Sequence, residues 1–92
     1  MDVEIYVVGI GGNPEYDQET RLLSAWLDKA SANAEVDRLF SLRKELVSAM
    51  NIAGHAIAPT AWLEAYSERA GYPGFSNEDY YEVFTTTLKG KT

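Results

Sequence analysis

The chain opens in alternation. Between Met1 and Ile10, Val3, Ile5 and Val7 fall on one side of an extended backbone, and Glu4, Tyr6 and Val8 on the other. β-branched and aromatic residues dominate the run, and Gly9, Gly11, Gly12 and Pro14 stop it, which predicts a strand. The period then changes. Leu22, Leu23, Trp26, Leu27 and Ala30 recur at helical spacing, behind Asp17 as a cap and Glu19 in the first turn. They predict a first helix from Gln18 to near Ser31. A second helix, capped by Asn33, carries Val36, Leu39, Phe40, Leu46, Val47, Met50 and Ala53 as one apolar stripe, extended by Ile57 and interrupted by Arg43. Gly54 weakens its end, since a helical glycine costs about 0.5–1 kcal/mol relative to alanine. Pro59 suits the first turn of a third helix with apolar positions Trp62, Leu63, Tyr66 and Ala70. Gly71 is placed to end it, and Pro73 blocks continuation.

The segment 80–88 carries two conflicting signals. Ser76 and Asp79 have the spacing of a capping box, and Phe75 and Tyr80 that of a hydrophobic staple. Tyr80, Val83, Phe84 and Leu88 then share a helical face, with Gly90 as a stop. Against this, Val83, Thr85, Thr86 and Thr87 form a β-branched run that favours strand. Helix is the preferred assignment and strand the alternative. The expected fold is α+β and mainly helical: one N-terminal strand followed by three or four helices. If 80–88 is helix, the first strand leaves a row of backbone donors and acceptors without a partner in the chain. The partner is then another protein or a second copy, with Val3, Ile5 and Val7 as the dimer-strand residues. If 80–88 is strand, it pairs with the N-terminal one.

Ninety-two residues make one domain, 1–92, with 89–92 expected as a disordered tail. A hydrophobic content of 46% supplies one core and excludes bulk disorder. There is no cysteine, which excludes disulfides and thiolate chemistry. No apolar stretch approaches the ~20 residues that cross a bilayer. Asp2 and Glu4 stand where a signal peptide carries basic residues. A cytoplasmic protein is expected.

The net charge is −6, which argues against direct binding of nucleic acid through phosphates and suits either a basic partner or simple solubility. The acidity is blocked. Residues 1–20 hold Asp2, Glu4, Glu15, Asp17 and Glu19 with no base, and residues 64–82 hold Glu64, Glu68, Glu78, Asp79 and Glu82 against Arg69 alone. Glu64 and Glu68 are four apart, as are Glu78 and Glu82, and like charges at that spacing weaken a helix. Solvation explains such pairs, as does pairing with Arg38, Arg43 or Lys44, or a cationic site on another molecule. Tyr66, Tyr72, Tyr80 and Tyr81 lie in the same stretch, and tyrosine is a frequent interface anchor. The residues expected to contact a partner are therefore Glu64, Glu68, Tyr72, Glu78, Asp79, Tyr81 and Glu82.

Catalytic signals are weak. The glycine run 9–12 follows a strand, but position 14 is proline where a dinucleotide loop has its third glycine, and no Gly-Lys-Ser/Thr follows. A plain turn is expected. His55 is the only histidine, four residues after Asn51, and a metal site would need carboxylates brought to it. No catalytic residue, cofactor or metal is expected. The composition predicts a non-enzymatic protein-binding module, a regulator or inhibitor, whose carboxylates could stand in for the phosphates of nucleic acid before a basic partner. Small inhibitors encoded by mobile elements share this character. The alternatives are a structural homodimer or assembly subunit, and a small enzyme or ligand binder.

Overall fold

Both sides of the first strand are occupied by the chain itself. A computed structural model describes residues 3–11 and 21–88, with elements β1 (Val3–Ile10), β2 (Arg21–Trp26), α1 (Lys29–Ala53), α2 (Thr60–Ala70) and β3 (Tyr81–Leu88). The strands form one antiparallel sheet in the order β2-β1-β3. The pairing of β1 with β3 is regular from Val3↔Leu88 to Ile10↔Tyr81. That of β1 with β2 runs from Tyr6↔Trp26 to Ile10↔Arg21 and shifts register between Val8 and Gly9.

This corrects the expected architecture of one strand and three or four helices. Among the described residues there are two helices and three strands. The helix expected over 18–31 is replaced, where described, by β2 and the start of α1; its cap Asp17 lies outside the described residues. The physical reason is a bulge. Val8 faces Ser24 and Gly9 faces Leu22, so Leu23 is the extra residue. The extra residue breaks the strand's two-residue period, so that Leu22 and Leu23, adjacent in the sequence, imitate a helical face. Leu22 and Leu27, counted in that face, are 68% and 77% exposed.

The helix preferred over 80–88 is corrected as well, and the strand alternative is the one formed. The capping signals were real but local. Ser76 N donates to Asp79 Oδ2 at 3.0 Å, one of the two bonds of a capping box, while Ser76 Oγ accepts from Glu78 N at 3.2 Å and Asp79 N donates to Ser76 O at 3.2 Å. They close a single turn. The β-branched run that follows then pairs with β1 instead of propagating a helix.

The chain divides into two compact units, Met1–Asp37 with Tyr80–Thr92, and Arg38–Asp79, and α1 runs through both. In the first unit Tyr6, Val8 and Ile10 share one face of the sheet with their partners Thr85, Val83 and Tyr81. That face holds the buried residues Val8 and Tyr81, and Ala32 on α1 is also buried. The other face carries Val3, Ile5, Val7 and Phe84, of which Val3 is 43% exposed and the rest half-buried. The more apolar face of β1 is thus the less buried one.

Asp28, not Asn33, caps α1. Its carboxylate accepts from Ser31 N and from Ser31 Oγ, each at 2.7 Å. These bonds, the hydroxyl's first, hold the Asp28 carboxyl below its usual range.

In the second unit Leu39, Leu42, Leu46 and Met50 line the buried side of α1, joined by Ala58, Ala70 and Phe75. Leu42 fills the place where Arg43 seemed to interrupt the stripe. Ile57 does not extend it, being 84% exposed. α1 ends in a Schellman arrangement: Gly54, at φ 73°, donates to Asn51 O at 3.3 Å, and His55 N donates to Met50 O at 2.9 Å. α2 begins after Pro59, whose carbonyl accepts from Trp62 N and Leu63 N, and ends at Gly71, at φ 89°, whose amide donates to Ser67 O. Gly71 ends α2 where the sequence put the stop, whereas Gly54, read only as a weak point, is where α1 ends.

Candidate functional site

The residues singled out for partner contact divide between the two units. Glu64, Glu68, Tyr72, Glu78 and Asp79 lie in the second, and Tyr81 and Glu82 in the first. α2 exposes Glu64 and Glu68 one turn apart on its outer side. The αL stop at Gly71 turns the chain so that Tyr72 comes beside Glu68. Together with Ser67, Gly71 and Pro73 these two line a shallow, open depression.

The loop after α2 is fixed by internal bonds. The Tyr72 hydroxyl donates to Asp79 Oδ2 at 2.9 Å, and its ring lies 5.9 Å from that of Phe75. Phe75 is buried, its amide donates to Ser67 Oγ at 3.0 Å, and its ring stacks on Tyr66 at 5.9 Å. Asp79 therefore organises the loop by accepting from Tyr72 and from Ser76. Glu78 is exposed on the same turn.

Two of the expected contact residues change role. Tyr81 is 2% exposed, so its ring is core and not an interface anchor. Glu82 is exposed on β3, its carboxylate close to Gly11, and the amide of Gly11 donates to Tyr80 O at 2.8 Å. Its i,i+4 relation to Glu78 disappears with the helix that would have carried it.

The basic residues meet other groups. Arg69 forms a two-pronged pair with Glu45 of α1, Nη1 to Oε1 at 2.8 Å and Nη2 to Oε2 at 3.0 Å. Its guanidinium lies 5.0 Å from the centre of the Tyr66 ring, and the Tyr66 hydroxyl donates to Glu45 at 3.3 Å. The Arg69 hydrogen bonds hold the Glu45 carboxyl below its usual range. Burial, then the charge of Glu45, push the Tyr66 hydroxyl up. Arg38 donates to the carbonyls of Arg69 and Ala70 at 3.0 and 2.8 Å and so covers the C-terminal end of α2, where a cation opposes the helix dipole. Arg43 Nε donates to Asn77 O at 2.7 Å. Among the described residues neither Glu64 nor Glu68 forms an ion pair.

Sequence reasoning missed this network because Glu45 and Arg69 stand 24 residues apart on different helices. A signal existed: Arg69 is the lone base of its block.

His55 lies past the end of α1, so it shares no helical face with Asn51; its ring meets that of Trp62 edge-on at 5.2 Å. Among the described residues no group of three or more His, Asp and Glu could hold a metal ion. The first two glycines of the run 9–12 are described, Gly12 to Pro14 lie outside the described residues, and the next described element is the antiparallel β2 and not a helix. Among the described residues no helix follows β1 directly, as a dinucleotide loop requires. No described helix is long and apolar enough to cross a membrane. Fold and side chains together define a class, a small acidic α+β protein with a three-stranded antiparallel sheet. Comparison with family models, curated proteins and solved structures brings out no match.

Proposed function

We propose that this protein is a non-enzymatic binding module that acts in the cytoplasm and regulates or inhibits a partner with a basic surface. The observation that supports the reading is the state of α2. Glu64 and Glu68 are exposed, Glu68 adjoins Tyr72 on an open depression, and the three arginines of the same unit bond other groups, Arg69 to Glu45 and Arg38 and Arg43 to backbone carbonyls. Exposed carboxylates beside a tyrosine pre-held by Asp79 suit a cationic partner, because the ring is ordered before binding. Glu78 is exposed on the loop whose Asp79 holds Tyr72. The site narrows to Glu64, Glu68, Tyr72 and Glu78.

The test is capture of partners from a native lysate by the wild type and by the triple variant Glu64→Lys, Glu68→Lys, Glu78→Lys. The expected result is a partner retained by the wild type, lost by the variant, and displaced from the wild type by duplex DNA. Displacement by DNA marks the carboxylates as stand-ins for phosphates. Equal capture by both proteins removes this face from the function.

A further inference from the structure

Within the second unit, α1 and α2 leave an open groove of about 550 Å³. One wall is a single face of α1. Ser41, Lys44, Ser48 and Ile52 recur there at helical spacing, with Glu45 and Ala49 beside them. Tyr66 of α2 is the other wall. Its ring is fixed by that of Phe75 at 5.9 Å and by the Arg69 guanidinium at 5.0 Å from its centre. The two ends of the groove differ in chemistry. One end gathers hydrogen-bond donors that the chain does not use. Lys44 is exposed and forms no ion pair, and the hydroxyls of Ser41 and Ser48, one turn to either side, bond no group among the described residues. The other end holds Ala49 and Ile52. Ile52 is 87% exposed, the most exposed of the large hydrophobic residues described.

We infer that this groove binds an aliphatic monocarboxylate, with its head at Lys44 and its chain along Ala49 and Ile52. This goes beyond the acidic-face proposal and does not depend on it. Charge selects the head. Glu45 lies in the same groove, but its carboxylate is matched by both prongs of Arg69, at 2.8 and 3.0 Å, and by the Tyr66 hydroxyl at 3.3 Å. The charge left over is the ammonium of Lys44, whose three donors suit one carboxylate better than a doubly charged phosphate. Ser41 and Ser48 add hydroxyl donors on either side of that head. Shape selects the tail. From Lys44 to Ile52 the face of α1 runs about 12 Å, at 1.5 Å per residue, and beyond Glu45 no described residue that lines it is charged. A protein occupant fits less well. A stable interface buries about 1,200–2,000 Å² around an apolar core, and Ile52 is the one large aliphatic side chain among the described residues of this groove.

The test is a titration of the isotope-labelled protein with sodium decanoate, followed by backbone amide shifts. The expected result is saturable shifts along α1 from Ser41 to Ile52 and at Tyr66. Decanoate should bind about tenfold or more tighter than hexanoate, because the longer chain reaches Ile52. Decanol should bind about threefold or more weaker than decanoate, the effect of one exposed ion pair. Lys44→Gln should bring decanoate down to the level of decanol, and Ile52→Ser should abolish the preference for decanoate over hexanoate. Both positions are exposed, so neither change should alter the far-UV circular dichroism. Shifts that do not saturate, or that saturate at other residues, overturn the proposal. A Lys44→Gln variant that binds decanoate as the wild type does overturns it too. So do shifts of the same residues with protein concentration alone, since the groove then belongs to a second copy of the chain.

Discussion

A methyl group at Gly9 would stand 2.9 Å from the Arg21 carbonyl oxygen and 3.1 Å from the Phe84 ring. Neither neighbour yields easily: one is backbone of the paired strand, the other an aromatic ring of β3. Gly9→Ala is expected to destabilise the protein by about 1–3 kcal/mol, the range of overpacked sites, read as a lower urea midpoint. Gly11 is the control. A methyl there meets the Glu82 carboxylate at 3.1 Å, the far end of an exposed and movable side chain, so Gly11→Ala should have a clearly smaller effect. Equal losses would mean that close approach of Phe84 and Arg21 is not what Gly9 provides. Asp28 gives a second expectation, this one in pH. Its carboxyl titrates lower in the folded protein than in the unfolded chain because Ser31 bonds the charged form. The stabilisation is therefore complete above the ordinary carboxyl range and lost as pH falls through the lowered value. The difference in thermal midpoint between wild type and Asp28→Ala should be present at neutral pH and vanish in acid.

Among the elements, the helix interior of the second unit is the least forgiving. Leu46 is fully buried, and Leu46→Ala should cost about 2–5 kcal/mol, measured by chemical denaturation; an exposed neighbour such as Ser48→Ala should cost far less. The stripe that contains Leu46 was legible because α1 and α2 carry one-sided helical patterns and glycine stops whose geometry the chain obeys at Gly54 and Gly71. The strands were legible only in part. β1 alternates and was read correctly, but β2 hides its period behind the bulge at Leu23. At β3 half of a capping box stands before a strand, and local bonding at Ser76 and Asp79 cannot say how far a helix propagates. That was decided 71 residues away, by a β1 whose second side needed a partner. The site was legible as a set of residue types and not as a set of neighbours. Glu68 beside Tyr72 follows from their spacing across the end of a helix, whereas the burial of Tyr81 and the Glu45–Arg69 pair depend on chain segments far apart.

In the whole molecule the acidity is uneven in a way the linear blocks conceal. The unit that contains the sheet holds nine acidic and four basic residues by sequence, a balance of −5, while Arg38–Asp79 holds five and four. Self-repulsion in the sheet-bearing unit is a long-range term that salt screens over about 10 Å at 0.1 M. Raising the salt from low millimolar to about 0.5 M should therefore raise the thermal midpoint; a fall would show that attractive pairs such as Glu45–Arg69 outweigh the repulsion. The strand order has a consequence of another kind, in time. From Ile10 to its partner Tyr81 the chain runs 71 residues, so β1 is made early and acquires one of its two neighbours only after both helices have been synthesised. Until then the nascent chain displays an apolar strand with a bare edge, the kind of segment that chaperones hold and that misassembles when they do not. Slow sheet closure is the expected kinetic signature, because contacts so distant along the chain form late. A permuted chain that places β3 directly before β1 should fold faster and aggregate less at the same equilibrium stability.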